Sequence, residues 1–317
     1  MNLLKKKIIL IILISGIIYL SISIYSDLGA LIVSFSNFNI LYLPIILLLS
    51  LFNYVLRFYK WEYYLRIIDV QVKKKDSLTI FLSGFLMSIT PGKSGEIIKS
   101  YLLKKVINAK ISKTAPVVVV ERITDFLSLA ILALLGSLFF KYGIIISLGT
   151  TIFIILSVLI ITNKNAFNKF LILSSRISLL KNFTSKFQQL FDSTEALLKI
   201  KPLIIGLILS IISWSFECVG YYLVIRNFSN DLSLVWSTFS YSFSTIAGAI
   251  SMLPGGLGIT ESSFLIMLNT KGLSLSDSTA ITLITRLSTL WFAIIIGIIS
   301  FLIFSVRYGN LEIKEEQ

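Results

Sequence analysis

Seven charged side chains stand within or beside long apolar stretches of this sequence, where an isolated charge is costly. At the centre of a membrane helix such a charge costs at least about 2.5 to 3.5 kcal/mol. A guanidinium group can bind a phosphate through two parallel hydrogen bonds, and a carboxylate can bind an ammonium group. These residues are therefore candidates for binding a charged substrate or for pairing with one another. They are Glu96, Glu121, Arg122, Asp125, Glu217, Glu261 and Arg286.

Three of the seven charges lie close together in one predicted helix. Glu121 and Asp125 are four residues apart and share a helix face, and Arg122 lies three residues before Asp125. This spacing suits a structural ion pair between Arg122 and Asp125, and it equally suits contact with a substrate. The sequence leaves both interpretations open.

Arg286 and Glu217 have no oppositely charged neighbour within their own apolar stretches. A buried charge without a partner is strongly unfavourable, so we expect each to reach a group on another helix. The first hypothesis pairs Arg286 with Glu261 or with Glu217.

Two Pro-Gly breaks each precede a short helical segment. The first break reads TPGKSGE and the second reads LPGGLGITE. Free amides and the dipole at a helix start attract anions, so each break could hold a lipid phosphate. The alternative is that the glycines serve only a tight turn and close packing. The residues concerned are Pro91, Gly92, Lys93, Gly95 and Glu96 in the first break, and Pro254, Gly255, Gly256, Gly258 and Glu261 in the second.

The letters GKS in the first break resemble part of a nucleotide-binding phosphate loop. That motif requires a glycine five residues before Gly92, where this chain has Met87, and no strand precedes the motif. We therefore reject a nucleotide site.

A further cluster, between Tyr54 and Arg66, mixes basic and aromatic side chains at the end of an apolar stretch. Arg57, Lys60 and Trp61 belong to it. Such a mixture is typical of the aromatic belt at a membrane surface. A role in gathering lipid headgroups is the alternative interpretation.

The composition excludes several classes of function. The chain has no histidine and one cysteine, Cys218, which excludes an intrachain disulfide, the Ser-His-Asp and Cys-His catalytic arrangements and the common zinc motifs. We expect no metal and no cofactor. The formal charge of +13 does not indicate nucleic acid, because the basic residues lie in short clusters between apolar stretches.

The elements that position these residues are predicted to be membrane helices. Hydrophobic residues make up 56% of the 317-residue chain and charged residues only 14%. The apolar stretch after Lys5 to Lys7 is too long for a signal peptide and is predicted to be the first of about six spans. We expect an all-α polytopic protein with a single membrane domain, residues 1–317. The spans are predicted at about 8–25, 40–56, 116–140, 144–162, 203–225 and 280–306.

Two apolar stretches that end in the Pro-Gly breaks are predicted to be re-entrant helical hairpins, at about 78–105 and 234–270. Broken backbone at membrane depth is tolerated where it is buried in protein or lines a cavity. The amphipathic connection 163–202 is expected to lie on the inner leaflet.

The distribution of basic residues predicts the topology. With these spans, 24 of the 29 Lys and Arg residues fall on one side of the membrane and three on the other. The positive-inside rule then places both termini in the cytoplasm and the protein in the cell membrane.

The two halves of the chain show a repeated spacing. Arg122 follows Glu96 by 26 residues, and Arg286 follows Glu261 by 25. Since the two hairpins are predicted to enter from opposite faces, the halves would form an inverted repeat. Transporters built this way bind substrate near the midplane, between the repeats.

Several motifs together resemble a known family. They are Arg57, Trp61 and Leu65, then TPGKSGE with Tyr101-Leu102-Leu103, Glu121 to Asp125, LPGGLGITE, and Thr285-Arg286-Leu287. Over about residues 3–306 this order resembles the transmembrane region of lysylphosphatidylglycerol synthase, also called the flippase-like or UPF0104 family. Similar domains include the lipid-translocating half of the bacterial multiple peptide resistance factor and domains attached to archaeal glycosyltransferases.

The resemblance implies translocation of a polar lipid between leaflets. The lipid would be a phospholipid, an aminoacyl-phospholipid or a polyprenyl-linked glycan, and a lipid-synthesising or glycosyltransferase enzyme could be a partner. The alternatives are a secondary transporter of a small anionic solute, an enzyme, and a membrane partner of a separate lipid-modifying enzyme. The chain departs from the full-length synthase because it ends eleven residues after the last predicted span, so lysyl transfer is not expected. It also has Lys93 where arginine is expected to be common, a change that preserves the positive charge.

Overall fold

A computed structural model describes residues 27–137, 148–149, 152 and 184–309. Within these residues the regular secondary structure is helical, apart from an isolated β-bridge between Pro91 and Pro254. We number the helices in chain order. They are α1 (Leu28–Asn37), α2 (Tyr42–Ile67), α3 (Lys74–Ser83), α4 (Ile98–Ile107), α5 (Ile111–Ser137), α6 (Thr184–Leu198), α7 (Ile200–Arg226), α8 (Leu234–Ile250), α9 (Ile259–Asn269), α10 (Leu275–Arg286) and α11 (Phe292–Tyr308).

Several helices start at side chains that cap the free amides of the first turn. The Asp27 carboxylate accepts from the Gly29 amide at 2.9 Å, at the start of α1. The Ser233 and Ser274 hydroxyls accept in the same way before α8 and α10. These short polar side chains satisfy amides that the helix itself leaves unpaired.

Three of the described helices are long and apolar enough to cross a membrane. They are α2, α7 and the continuous helix Leu275–Tyr308, which joins α10 to α11 through a π-helical turn at Leu287–Trp291. The predicted spans 203–225 and 280–306 fall within them, and the predicted span 40–56 overlaps α2, which begins at Tyr42 and continues to Ile67. The predicted span 116–140 corresponds largely to α5, which is 27 residues long. The predicted span 8–25 lies outside the described residues. Of the predicted span 144–162, the structure describes residues 148, 149 and 152.

Helices α2 and α7 pack antiparallel along their length. The Asn53 side chain donates to the Ser213 carbonyl at 2.9 Å, and the Asn39 amide donates to the Asn227 side chain at 3.1 Å. Near the other end, Tyr64 lies against Gly206, where a side chain on the glycine would collide with the tyrosine ring. The end of α2 and the start of α7 therefore lie at the same end of the bundle.

Both predicted hairpins consist of two helical arms around a break. In the first, α3 continues as a 3-10 helix (Gly84–Ile89), and after the break a short 3-10 turn (Ser94–Ile97) leads into α4. In the second, α8 and α9 flank the break. The breaks meet, because Pro91 and Pro254 face each other in an isolated antiparallel bridge.

Each hairpin packs against a long helix from the other half of the chain. Helix α8 lies against α5, where a Cβ on Gly136 would come within 2.6 Å of Phe239. Helix α11 lies against α3 and its 3-10 extension, where a Cβ on Gly297 would come within 2.8 Å of the Phe85 backbone. Small residues thus let helices approach closely, as is common in membrane proteins. The packing of each hairpin on a helix of the other half is compatible with an inverted repeat, which stays a prediction.

The basic and aromatic cluster on α2 is not an aromatic belt. Arg57, Lys60, Trp61 and Tyr64 are all buried within the protein, whereas a belt would face the membrane surface. They recur at helical spacing on the face of α2 that meets the other helices. The 24 basic residues on the predicted cytoplasmic side include Arg57, Lys60 and Lys99, which are all buried in the protein. The difference in exposed basic residues between the two sides of the membrane is therefore smaller than the sequence suggests.

Helix α6 covers the second part of the predicted amphipathic connection 163–202. It packs against α5, and the Ser112 hydroxyl donates to the Gln189 side chain at 2.6 Å. Phe191, Leu197 and Leu198 are buried. The apolar face of this helix is thus at least partly covered by protein.

Candidate functional site

A cavity of about 110 Å³ lies between the two hairpin breaks and the helices around them. Eight of the residues selected from the sequence line it, namely Gly92, Lys93, Arg122, Asp125, Glu217, Gly255, Gly256 and Arg286. The other selected residues stand behind or beside this wall, namely Pro91, Gly95, Glu96, Glu121, Pro254, Gly258 and Glu261. The structure thus brings charges from both halves of the chain to one place.

Asp125 is the centre of the charge network on one side of the cavity. Its carboxylate lies 2.6 Å from the Lys60 ammonium, 3.2 Å from the Arg122 guanidinium and 3.5 Å from the Arg57 guanidinium. The pairing of Arg122 with Asp125 is therefore confirmed. Lys60 is fully buried and also donates to the Ser210 hydroxyl at 2.7 Å, so it is firmly held.

Glu96 and Glu121 extend this network behind the cavity wall. Arg122 lies 3.2 Å from Glu96, so it bridges Glu96 and Asp125. Lys99 lies 2.5 Å from Glu121 and 3.6 Å from Glu96. Lys99 also lies over the Trp61 ring, 4.7 Å from its centroid. All these groups are buried or nearly so, and pairing is what makes their burial tolerable.

The network carries more positive than negative charge. Five cations, Arg57, Lys60, Lys93, Lys99 and Arg122, surround the three carboxylates of Glu96, Glu121 and Asp125. With ordinary ionisation this leaves two positive charges in excess, and an ionised Glu217, which lines the same cavity, reduces the excess to one. An anion in the cavity would therefore be attracted.

Several hydrogen-bond donors at the cavity have no aligned acceptor among the described residues. They are Nε and Nη2 of Arg57, Nε and Nη2 of Arg122, and Nε1 of Trp214. Nη2 of Arg122 is close enough to Glu96 and Asp125 for an ion pair, but the angles do not suit a hydrogen bond. Glu96 Oε2 and Asp125 Oδ2 likewise have no aligned donor, so the arginines and these carboxylates are held together by charge more than by well-aligned hydrogen bonds.

Lys93 projects its ammonium group over the Trp214 ring, 5.5 Å from the centroid. Its backbone has φ of 55°, a left-handed conformation that a non-glycine residue adopts at some cost. Arg57 lies over the same ring at 5.8 Å and over the Phe85 ring at 5.4 Å. Two cations thus share one aromatic face beside the cavity.

The corresponding pair in the second half is more completely satisfied. Arg286 Nε donates to Glu261 at 2.7 Å, and Nη2 donates to the Gly255 carbonyl at 2.7 Å. The other Glu261 oxygen accepts from the Gly258 amide at 2.7 Å, so this carboxylate caps α9. The predicted pairing of Arg286 with Glu261 is confirmed. The alternative pairing with Glu217 is wrong.

The amides of the first break are not free to hold an anion, contrary to the sequence interpretation. The Gly95 amide donates to the Thr90 hydroxyl at 2.8 Å, and the Ser94 and Glu96 amides donate to carbonyls within the turn. In the second break, the Gly256 amide donates to the Leu253 carbonyl at 2.9 Å. The amides named here are thus already hydrogen-bonded within the turns. An anion would have to be attracted by side chains.

Close packing is the role that the structure shows for glycine in these breaks. A Cβ on Gly95 would come within 2.7 Å of the Thr90 side chain. Gly256 has φ of 66°, and a Cβ there would meet the Thr260 hydroxyl at 2.7 Å. The turn interpretation of the glycines is therefore confirmed at these positions.

Glu217 lines the same cavity as Arg57, Lys93 and Asp125. The Tyr241 hydroxyl donates to one oxygen of its carboxylate. Its expected contact with another helix is confirmed, since Tyr241 belongs to α8, but the partner is a phenol and not a cation.

Sequence reasoning missed Lys99, Trp214 and Tyr241 as site residues, and it offered Arg57 and Lys60 only through the alternative, headgroup-gathering interpretation of the cluster on α2. A signal was present on α2, where Asn53, Arg57, Lys60 and Tyr64 follow the three-and-four spacing of one helix face. Lys99, Trp214 and Tyr241 give no comparable signal. Among the described residues, no group of three or more His, Cys, Asp or Glu side chains is arranged to hold a metal ion.

Comparison with known proteins places the chain among integral membrane proteins. Residues 8–297 match the family model described as the lysylphosphatidylglycerol synthase TM region. A UPF0104 membrane protein of Methanocaldococcus jannaschii is 28% identical over 224 residues, which cover 69% of this chain and 94% of that protein. A second one from the same organism is 24% identical over 326 residues, covering 94% and 95%.

A UPF0104 membrane protein of Methanothermobacter thermautotrophicus is 26% identical over 266 residues, covering 75% of this chain and 78% of the relative. The similarity therefore extends over the hairpins, the cavity and the charge network together. Because the family model matches most of its length, this chain belongs to the lysylphosphatidylglycerol synthase TM region family of membrane proteins.

Proposed function

We propose that this protein is a lipid flippase or scramblase that moves a phosphate-bearing polar lipid between the leaflets of the cell membrane. Both termini would be cytoplasmic. The observation that carries the proposal is the excess of positive charge at a buried cavity lined by Arg57, Lys93 and Arg122. A phosphate offers the negative charge that would offset this excess, and its oxygens can accept from guanidinium and ammonium groups.

The size of the cavity suits a headgroup phosphate. The cavity has room for a headgroup, whereas the long acyl chains of a lipid extend well beyond it. The chains of a lipid would have to stay outside, in contact with the bilayer. The cavity therefore needs an opening beside apolar surface.

Such an apolar surface lies next to the second hairpin break. Leu253 lines the cavity and is 43% exposed, and the neighbouring Met252 is 58% exposed. The Met252 sulfur lies against Gly92, so this surface adjoins both breaks. Acyl chains could pack there while the phosphate reaches Arg57 and Arg122.

The arrangement of the hairpins suggests how the headgroup crosses. Their breaks meet at Pro91 and Pro254, beside the cavity, and each hairpin packs on a helix of the other half. Separation of one hairpin from this contact would open the cavity toward one leaflet. Alternate separation of the two hairpins would pass the phosphate across while the chains remain in lipid.

The small cavity also favours a second candidate, a transporter of a small anionic solute. The same donors would bind inorganic phosphate or a small organic phosphate. The apolar surface at Met252 and Leu253 has no role in that alternative, which is why we place lipid first. Association with a separate lipid-modifying enzyme remains a third hypothesis, and no catalytic role is proposed.

The proposal is tested in proteoliposomes that contain fluorescent phosphatidylglycerol in both leaflets. A membrane-impermeant reductant bleaches the outer leaflet, and continued bleaching measures translocation. We expect the wild type to accelerate bleaching and Arg57→Gln and Arg122→Gln each to slow it by at least about tenfold, because a hydrogen bond to a charged group contributes about 1.5 to 3 kcal/mol.

Arg226→Gln is the matched control, since Arg226 is an exposed arginine at the end of α7. It should translocate lipid at the wild-type rate. Uptake of radiolabelled phosphate by the same vesicles tests the solute alternative. Uptake without lipid movement would replace the lipid proposal by the solute one.

A further inference from the structure

Glu217 differs from the other carboxylates around the cavity. Glu96, Glu121, Asp125 and Glu261 each lie within 3.6 Å of a lysine or arginine nitrogen. In the part of the chain that the structure describes, Glu217 has no basic group within 4.0 Å, although it is only 7% exposed and lines the same cavity. Since no cation holds this carboxylate in its ionised form, Glu217 is the carboxylate of the cavity whose charge can change.

The hydrogen bond of Glu217 to Tyr241 uses one carboxylate oxygen and leaves the other available to bind a proton. The Tyr241 hydroxyl donates to Oε2, and no bond to Oε1 is present among the described residues. Glu217 can therefore bind a proton on Oε1 and keep its contact with Tyr241. Trp214, on the preceding turn of α7, faces the same cavity, so the site for a proton adjoins the donors for an anion.

We propose that Glu217 is a proton-binding site that takes up one proton as the anionic headgroup enters the cavity and releases it as the headgroup leaves. This inference rests on the proposed function. An ionised Glu217 and a phosphate in the same buried cavity would repel each other, because both are negatively charged. The anion therefore binds more tightly when Glu217 carries a proton, and by linkage a bound anion favours proton uptake.

The proton balance of this cycle is simple. A proton from water on the side of lipid entry binds the carboxylate, and the same proton returns to water on the side of release. No covalent bond in the lipid is formed or broken. With one proton carried per singly charged headgroup, a proton gradient would bias the direction of lipid movement.

Other ionisable groups face Glu217 and must be considered when the pH is varied. They are Tyr54 and Arg57 on α2, Lys93 in the first break, Asp125 on α5, Cys218 on α7 and Tyr241 on α8. Lys93 is the important one, because loss of its proton at high pH would also weaken anion binding. Lys93→Arg keeps the positive charge without titrating, so it provides the background for the experiment.

The experiment measures proton uptake on lipid binding. Detergent-solubilised Lys93→Arg protein is titrated with dihexanoyl-phosphatidylglycerol, whose phosphodiester stays ionised across the range studied. Calorimetry in two buffers with different ionisation heats gives the protons bound per lipid. We expect uptake to approach one proton, and the dissociation constant to rise by up to about tenfold per pH unit where Glu217 loses its proton.

Three variants in the same background assign the proton. Glu217→Gln should abolish uptake and make lipid affinity independent of pH, and Glu217→Asp should restore both properties. Asp231→Asn, which removes an exposed carboxylate after α7, should leave both unchanged. Each variant is first shown to elute as a single species and to melt near the parent temperature.

The outcomes separate this inference from the proposed function. Lipid binding and translocation without proton uptake would overturn the role of Glu217 and leave the flippase proposal intact. Absence of lipid binding and translocation in the wild type would overturn the proposed function itself. Tyr241→Phe keeps the carboxylate and should retain uptake, so loss of uptake in Tyr241→Phe but not in Glu217→Gln would also contradict the assignment.

Discussion

Pro91 of the first hairpin faces Pro254 of the second in an antiparallel bridge. Proline has no N–H group, so the prolines themselves cannot extend the pairing into a ladder. Gly92 and Gly255 follow them with φ of 56° and 62°, and this left-handed backbone turns each chain away after the contact. The two breaks thus form a single closed contact beside the charged cavity.

This contact predicts a cross-link between the hairpins. Facing residues of an antiparallel pair have Cα atoms about 4.5 to 5.5 Å apart, which is within the range of a disulfide. In a Cys218→Ser background, Pro91→Cys combined with Pro254→Cys should form a disulfide on mild oxidation. Trapping the breaks together should stop lipid translocation, and reduction should restore it. The readouts are a mobility shift on gels and the bleaching assay.

The control for the cross-link pairs Pro91→Cys with Lys271→Cys. Lys271 is exposed beyond the far end of α9 and should not form an intramolecular disulfide with position 91. Equal cross-linking in both pairs would contradict the contact between the breaks.

Arg122 and Arg286 are expected to differ, although the repeated spacing predicts equivalent roles. Arg122→Gln should abolish translocation with a modest loss of stability, because its partners Asp125 and Glu96 keep the ammonium groups of Lys60 and Lys99. Arg286→Gln should lower the free energy of unfolding by about 3 to 5 kcal/mol, because it strips the fully buried Glu261 of a partner. Thermal melting in detergent and the bleaching assay measure the two effects.

A second substitution tests the cause of the instability. Glu261→Gln combined with Arg286→Gln removes both charges and should recover much of the lost stability.

Arg122→Lys and Arg286→Lys should each retain charge but lose the bidentate geometry, and so weaken transport. Wild-type transport in both glutamine variants would remove the physical ground for a phosphate-bearing substrate.

Gly297 is predicted to be essential for packing of α11 against the first hairpin. Gly297→Ala places a methyl group against the Phe85 and Leu86 backbone, which must shift, and should cost about 1 to 3 kcal/mol. Gly220→Ala is the matched control, because its new methyl group would lie at an ordinary 3.6 Å from Ile46. Alanine there should be neutral or stabilise α7 by up to about 1 kcal/mol. A common melting temperature for the two variants would contradict the packing.

The cytoplasmic placement of both termini, which stays a prediction, requires opposite labelling at the two ends of the bundle. Lys75 follows the end of α2, and Asn230 follows the end of α7, which runs antiparallel to α2. Both residues are exposed. In a Cys218→Ser background and in intact cells, Asn230→Cys should react with an impermeant thiol reagent, and Lys75→Cys should react only after permeabilisation. Labelling of position 75 from outside would reverse the predicted orientation.

The sequence by itself determined the helical membrane character and the places where helices break. Long apolar stretches exclude most alternatives, because backbone groups in lipid must be satisfied within a helix. Pro-Gly pairs interrupt helices through local geometry, so both breaks could be located without knowledge of the fold. The pairing of Arg286 with Glu261 was also within reach, since few groups at membrane depth can neutralise a guanidinium.

Only the tertiary structure decided which charges meet. Arg57 and Lys60 stand near the end of an apolar stretch, where long basic side chains commonly extend to water. Here the neighbouring helices cover that face of α2, and the Asp125 carboxylate accepts a hydrogen bond from the Lys60 ammonium at 2.6 Å. Whether a basic side chain turns outward or inward depends on which helices pack around it. That choice is made by contacts between residues far apart in the sequence, and helical spacing within one segment does not contain it.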